Sequence, residues 1–229
     1  MVRLHRHQLA HLAPAAWRAL KAQARDDIER ECLTLWAARA LPLVVTQQRC
    51  SGDEAAQAWI SMGLSAPLRW GRRRIALRVA RTDVLYFDEF PAAPHLTAAL
   101  PARSRPDWER LCAALQACGV TARVFGSHGW ELLSGMAHVR PGSDSDLWIG
   151  VSDPGEADRA VASLQRFTSE GPRLDGELLF NGDTAVSWRE WAEWRAGHVR
   201  SALVKTMQGV RMVRTVDELS GADLLEAAT

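Results

Sequence analysis

Two short stretches constrain this chain more than any other. They are Val124-Phe125-Gly126-Ser127 and, after an amphipathic segment, Gly142-Ser143-Asp144-Ser145-Asp146-Leu147-Trp148. The first reads as an apolar strand that stops at Gly-Ser, the second as a strand that opens with Asp-x-Asp. Between them, the run starting at His128 reads as a helix whose Trp130, Leu133 and Met136 share one face. A fold built on this order brings a helix N-terminus and an acid-bearing strand around one space.

That is the layout a metal-dependent nucleotidyl-transfer site needs. Residues two apart on a strand project from the same face, roughly 6.5 to 7 Å apart, so Asp144 and Asp146 present hard carboxylate oxygens to a shared volume. Such groups suit Mg²⁺, with Mn²⁺ as the alternative, because Mg²⁺ is held by one or two carboxylates together with substrate phosphates. Gly126 lets the backbone approach a polyphosphate, and Ser127 with the following helix N-terminus offers N–H donors and a positive dipole end. Taken singly, Asp-x-Asp is a common turn pattern and Gly-Ser a common cap. Their order and context carry the reading.

The rest of the chain divides at a proline-rich stretch, Ala93 to Pro106, which reads as a linker or boundary between residues 1–98 and 105–229. Ahead of it lie helical segments within residues 13–39, a strand at Leu43-Val44-Val45-Thr46, a short helix near Glu54 to Ile60 and a strand near Ile75 to Val79. These predict a smaller α/β domain. Beyond the stretch, Pro106 opens a helix with Trp108, Leu111, Cys112 and Leu115 in its stripe, and Gly119 ends it. Asp153-Pro154-Gly155-Glu156 and Ser187-Trp188-Arg189-Glu190 read as capping boxes. Arg173 to Phe180 alternates as a strand with Leu174, Leu178 and Phe180 on the core side and Asp175 and Glu177 opposite. Leu203 to Val213 reads as a hairpin around Gln208-Gly209, and Thr215 precedes a final helix. The fold class is α+β, a central mixed sheet flanked by helices.

Further site candidates follow from this layout. Asp175 is a candidate third carboxylate, as metal ligand or proton acceptor, and Glu177 shares its face; an exposed charge on an edge strand is an equal reading for either. Lys205, among small and apolar neighbours, is placed to neutralise a leaving pyrophosphate or to snorkel at the surface. Arg140, just ahead of the acid pair, is in reach of a phosphate. Arg72-Arg73-Arg74 is the densest basic cluster, open to phosphates, to an acidic partner protein or to plain solvation.

Other chemistries find no support. Cys32, Cys50, Cys112 and Cys118 lack zinc-ligand spacing, and His7 and His11, four apart, lack the glutamate of a His-Glu-x-x-His site, so they are read as surface or packing residues. Trp188, Trp191 and Trp194 recur at helical spacing and are read as core. A formal net charge of +1 gives no push toward nucleic acid or membrane. No apolar run reaches the roughly 18 residues of a membrane helix, and no signal-peptide core is present, so the expected location is the cytoplasm.

Several of these motifs together resemble a known family. Arg123-Val124-Phe125-Gly126-Ser127, Trp130, Ser134-Gly135, Pro141, Ser143-Asp144-Ser145-Asp146-Leu147, Arg173-Leu174-Asp175-Gly176-Glu177-Leu178, Ala185 to Glu190 and Val204-Lys205 are similar to the malonate decarboxylase holo-acyl-carrier-protein synthase family. It is also called phosphoribosyl-dephospho-CoA transferase and belongs to the nucleotidyltransferase superfamily. The match spans most of residues 105–213, with weaker likeness at Arg6-His7 and at Trp70 to Leu77. The resemblance implies a nucleotidyltransferase-like fold, with the family's catalytic aspartates falling on Asp144 and Asp146. It also implies transfer of phosphoribosyl-dephospho-CoA from 2'-(5''-triphosphoribosyl)-3'-dephospho-CoA to a serine of the apo acyl carrier protein of malonate decarboxylase, with release of pyrophosphate. One departure is visible: Ser145 stands where the family has an apolar residue. Its side chain is expected to point away from the metal into the sheet's other face, altering packing rather than chemistry. Another nucleotidyltransferase using a different donor, or a catalytically silent carrier-binding module, are the competing readings.

Overall fold

The computed structural model describes residues 4–48, 58–168, 170–180 and 184–220, and two β-sheets organise them. The N-terminal sheet comprises β1 (Leu9–Leu12), β2 (Leu43–Val45), β3 (Trp59–Ser65), β4 (Arg74–Ala80) and β5 (Val84–Asp88). Its order is β4-β3-β2-β1-β5. Helices α1 (Pro14–Ala22) and α2 (Asp27–Ala38) follow β1. Pro14 opens α1 at a position that needs no N–H partner. Asp26 caps α2 by accepting from the Glu29 amide at 2.8 Å. These helices bury Trp17, Leu20, Leu33 and Trp36 against Leu9, Leu43, Ile60, Met62 and Ile75 of the sheet.

Every strand pair of this sheet is antiparallel. The smaller half, expected as an α/β domain, is thus α+β, with an antiparallel sheet. Hydrophobic pattern cannot distinguish the two, because strand direction is set by how connections return. Of the helix expected near Glu54 to Ile60, residues 54–57 lie outside the described residues, as does Cys50. Trp59 and Ile60 belong to β3, where Ile60, Met62 and Leu64 are buried at period two. That alternation is the strand signal the helical expectation passed over.

The proline-rich stretch is a packed strap. Residues Ala93–Ala99 and Ala102–Ser104 form 3₁₀ turns, with Ala93, Leu96 and Leu100 buried in the C-terminal core. The Trp108 indole N–H donates to the Ala93 carbonyl at 2.9 Å, closing the strap onto the helix it precedes.

The C-terminal part runs α3 (Arg105–Ala117), β6 (Thr121–Phe125), α4 (Gly126–Ser134), β7 (Ser145–Val151), α5 (Pro154–Gln165), β8 (Leu174–Phe180), β9 (Thr184–Ser187), α6 (Trp188–Arg195), β10 (Ala202–Lys205) and β11 (Val210–Val213). The six strands lie in the order β11-β10-β9-β8-β7-β6, and only β7 and β8 are parallel. Helix α5 is the crossover that this parallel pair requires. Its N-terminus is the expected capping arrangement: Asp153 accepts from the Glu156 amide, and Glu156 accepts from the Ser152 amide.

The second capping box is not formed. The Ser187 side chain makes no cap bond, and Glu190 instead accepts from the Leu203 amide at 2.6 Å, tying α6 to β10. Trp188 and Trp191 are buried as core, and Trp194 meets Trp191 edge-on. The hairpin closes as expected, with Lys205 opposite Val210. The final turn, Asp217–Ser220, is 3₁₀, and the chain beyond it lies outside the described residues. No helix among the described residues is long and apolar enough to cross a membrane.

The six-stranded sheet has two different faces. One carries Val124, Leu147, Ile149, Leu178, Phe180 and Val204 under α3, α5 and α6. Ser145 turns to this face, buried, with its hydroxyl unpartnered, in keeping with the expected orientation. On the other face the register aligns Phe125 with Asp146, Asp146 with Asp175, and Trp148 with Glu177.

Candidate active site

Strand β6 passes into α4 with no intervening loop, and Gly126 makes that turn with a left-handed φ of 65°. A β-carbon on Gly126 would lie 2.0 Å from Asp146 Oδ2. Glycine therefore does two things here: it adopts the turn and leaves room for the acid. Ser127 follows in the first turn of α4, where helix amides lack partners of their own.

Asp144 sits just ahead of β7 and Asp146 within it. Arg173, immediately before β8, grips Asp144 with two hydrogen bonds, Nε to Oδ1 at 3.0 Å and Nη2 to Oδ2 at 2.7 Å. The same Nη2 lies 3.6 Å from Asp175 Oδ2. This guanidinium holds the Asp144 carboxyl below the usual carboxylate range. Asp146 behaves oppositely: burial first, then the charges of Asp175 and Asp144, push it up to about 6. Three acids thus stand together, with the exposed Arg173 bonded to Asp144 and close to Asp175. Among the described residues, no three His, Cys, Asp or Glu side chains converge as a metal cage.

Glu177 has a separate role. It is buried, and its Oε2 accepts from His7 Nε2 at 2.9 Å and Arg6 Nε at 3.3 Å, while Oε1 accepts from Lys205 Nζ at 2.7 Å. Burial alone would raise its pKa, but the hydrogen bond and charge of His7, then the charge of Arg6 and the hydrogen bond from Lys205, hold it well below the carboxylate range. Asp175, in register with Asp146, is the carboxylate beside the acid pair, and Glu177 is the anchor of the N-terminal segment. Lys205 is spent on that anchor.

A cleft of about 980 Å³ opens between the two sheets. Gly126, Ser127 and Asp146 of the C-terminal part line it together with Arg72, Arg74 and Arg140. Of the residues expected at a site, Gly126, Ser127, Arg140 and Asp146 therefore line one cleft, whereas Asp144, held by Arg173, lines a neighbouring pocket that shares Arg140. Sequence reasoning overlooked Arg173, Arg6 and His7 as site residues. Arg173 carried one signal, since it shares period-two spacing with Asp175 and Glu177. His7 carried only the weak family likeness at Arg6-His7, and its backbone is left-handed, with φ 64°.

Two family models match the chain. "Phosphoribosyl-dephospho-CoA transferase MdcG N-terminal domain" covers residues 5–90, and the corresponding C-terminal domain covers residues 92–216. A phosphoribosyl-dephospho-CoA transferase of Xanthomonas euvesicatoria is 32% identical over 210 residues, 91% of this chain and 93% of the relative. One of Bradyrhizobium diazoefficiens is 32% identical over 219 residues, 95% of this chain and 93% of the relative. One of Pseudomonas aeruginosa is 33% identical over 168 residues, 70% of this chain and 75% of the relative. No solved structure matches the chain significantly.

Proposed function

The chain belongs to the phosphoribosyl-dephospho-CoA transferase family, and from that premise we propose that it attaches a prosthetic group to a carrier protein. The donor is 2'-(5''-triphosphoribosyl)-3'-dephospho-CoA and the acceptor a serine of the apo acyl carrier protein of malonate decarboxylase. The serine Oγ–phosphorus bond forms as the bond from that phosphorus to pyrophosphate breaks, and pyrophosphate leaves with the electron pair. The observation that carries this reading is the register of Asp146 with Asp175 against the Gly126 turn, at the mouth of a cleft edged with arginines. The reading makes the C-terminal part a nucleotidyltransferase-like catalytic domain and gives residues 1–98 a part in substrate or carrier recognition.

The acids fit a divalent metal. Their oxygens are the hard donors that Mg²⁺ or Mn²⁺ takes, and the charges of Asp175 and Asp144, which add to burial in raising Asp146, are what a cation relieves. Asp144 and Asp146 would hold it. When bound, the metal polarises the phosphoryl oxygens and neutralises charge developing on the leaving group. The chain's own groups do the rest. Ser127 and the first amides of α4 seat the phosphates, and Arg140 adds a cation. Asp175 accepts the proton of the incoming serine hydroxyl. The cysteines Cys32, Cys112 and Cys118 are free thiols, which suits the reducing cytoplasm where we place the reaction.

The test is pyrophosphate release by the purified chain. Release is expected only with donor, apo carrier and a divalent metal together. Release from ATP, with an AMP adduct on some other acceptor, would discard the donor and keep only the chemistry. A sharper prediction concerns Gly126. Gly126→Ala places a β-carbon on the Asp146 carboxylate, and because misplacement by about 1 Å can cost roughly a hundredfold, transfer should fall on that order. Gly135 supplies the control. It also has a left-handed φ, 62°, but its nearest side-chain neighbour is Arg39 at 3.8 Å, so Gly135→Ala should strain the backbone equally and retain transfer. Equal activity in the two variants would show that the Asp146 contact is irrelevant.

A further inference from the structure

The three consecutive arginines at 72–74 separate into three different environments. Arg73 donates to Asp26 Oδ2 at 2.5 Å, bracing the cap of α2. Arg74 is exposed at the cleft rim. Arg72 is half-buried, and its Nη2 donates to Ser127 Oγ at 2.9 Å. Among the described residues, Arg72 makes no ion pair with a carboxylate. Its charge is thus held against the first turn of α4 with no carboxylate partner among the described residues.

The backbone that delivers it is unusual. Gly71 and Arg72 are successive left-handed residues, with φ 68° and 55°. Glycine adopts that region freely, but a residue with a β-carbon is strained there and stays only when its surroundings fix it. They do. The Arg72 amide donates to the Pro67 carbonyl at 3.3 Å, and the Ala66 amide to the Arg73 carbonyl at 2.8 Å. The Leu68 amide donates to the Ala137 carbonyl at 2.8 Å, tying the turn to the segment after α4. Trp70 is buried beside it. A strained turn of the N-terminal half is therefore pinned across the cleft, and its product is one planar guanidinium over Ser127. Such a fork matches the paired oxygens of a phosphate.

We propose that Arg72 binds the β- and γ-phosphates of the donor, so that the leaving pyrophosphate is held between the N-terminal sheet and α4. This rests on the function proposed above, which makes pyrophosphate the leaving group. It assigns to Arg72 the part that sequence spacing offered to Lys205, whose ammonium is bound to Glu177.

The test is calorimetric titration of the full chain with inorganic pyrophosphate and Mg²⁺, alongside thermal melting. Arg72→Gln should weaken binding by roughly tenfold to a hundredfold, the range for a charged hydrogen-bonded contact. Arg72→Gly should lose the same affinity while melting at or above the wild-type temperature, because glycine relieves the left-handed backbone. Arg73→Gln should bind as wild type. Wild-type affinity in Arg72→Gln overturns the assignment alone, and so does a loss that Arg73→Gln shares. Absence of pyrophosphate binding by the wild-type chain overturns both the assignment and the function on which it rests.

Discussion

Asp146→Asn is expected to stop transfer and to give a protein that melts at a higher temperature. Burial, then Asp175 and Asp144, raise the Asp146 carboxyl to about 6 from an ordinary value of 3.8. Folding therefore favours its protonated form. The resulting advantage of the folded state is complete below about pH 3.8 and is lost as pH rises through about 6. Above that, the chain carries a crowded carboxylate whose removal stabilises it. In metal-free buffer at neutral pH the variant should melt a few degrees higher, and near pH 4 the two curves should converge. Transfer should fall on the order of a thousandfold, since a metal's charge stabilisation is worth several kcal/mol and each factor of ten about 1.36 kcal/mol. Melting curves at both pH values decide the matter: a variant that melts lower at neutral pH would mean that the acids are not in conflict.

Glu177→Gln should have the largest effect on stability. Glu177 is 7% exposed, and it receives Arg6, His7 and Lys205 from segments far apart in the chain. Removing one member of a buried ionic cluster leaves the others uncompensated, at a cost of about 3 to 5 kcal/mol. For a chain of this size, 1 kcal/mol moves the melting temperature about 2 to 4 °C, so a fall on the order of 10 °C is expected at neutral pH. The sign with pH opposes that of Asp146. The folded-state pKa of Glu177 is depressed, so its contribution is present above the ordinary value of 4.5 and lost as pH falls through the folded value. The gap between variant and wild type should close in acid. A cycle with Lys205→Met should be strongly non-additive, because the two side chains share one bond. A melting temperature within about 2 °C of wild type would reduce Glu177 to an ordinary surface charge.

The acid pair and the Gly-Ser turn were legible because their signals are local: an apolar strand, a glycine, then two acids at period two. The same holds for α5, whose cap and stripe lie within twelve residues of sequence. What could not be read is long-range. Arg173 meets Asp144 across 29 residues, Arg72 meets Ser127 across 55, and His7 meets Glu177 across 170. Glu177 looked like an edge charge because nothing in its own strand indicates that the N-terminal segment covers it. Ser187-x-x-Glu190 has the residues of a capping box, yet Glu190 found a stronger partner in the Leu203 amide. Prolines at 94 and 101 suggested a loose linker, but Leu96 and Leu100 between them pack into the core. Strand β9 was missed because its few apolar residues were overshadowed by the cap motif at its end.

The most direct test of the account is the intact mass of the apo acyl carrier protein after incubation with the full chain, Mg²⁺ and triphosphoribosyl-dephospho-CoA. A gain equal to one phosphoribosyl-dephospho-CoA group is predicted, absent with Asp144→Asn and absent when the acceptor serine of the carrier is replaced by alanine. An unchanged carrier with the wild-type chain, or an equal gain with Asp144→Asn, would contradict it.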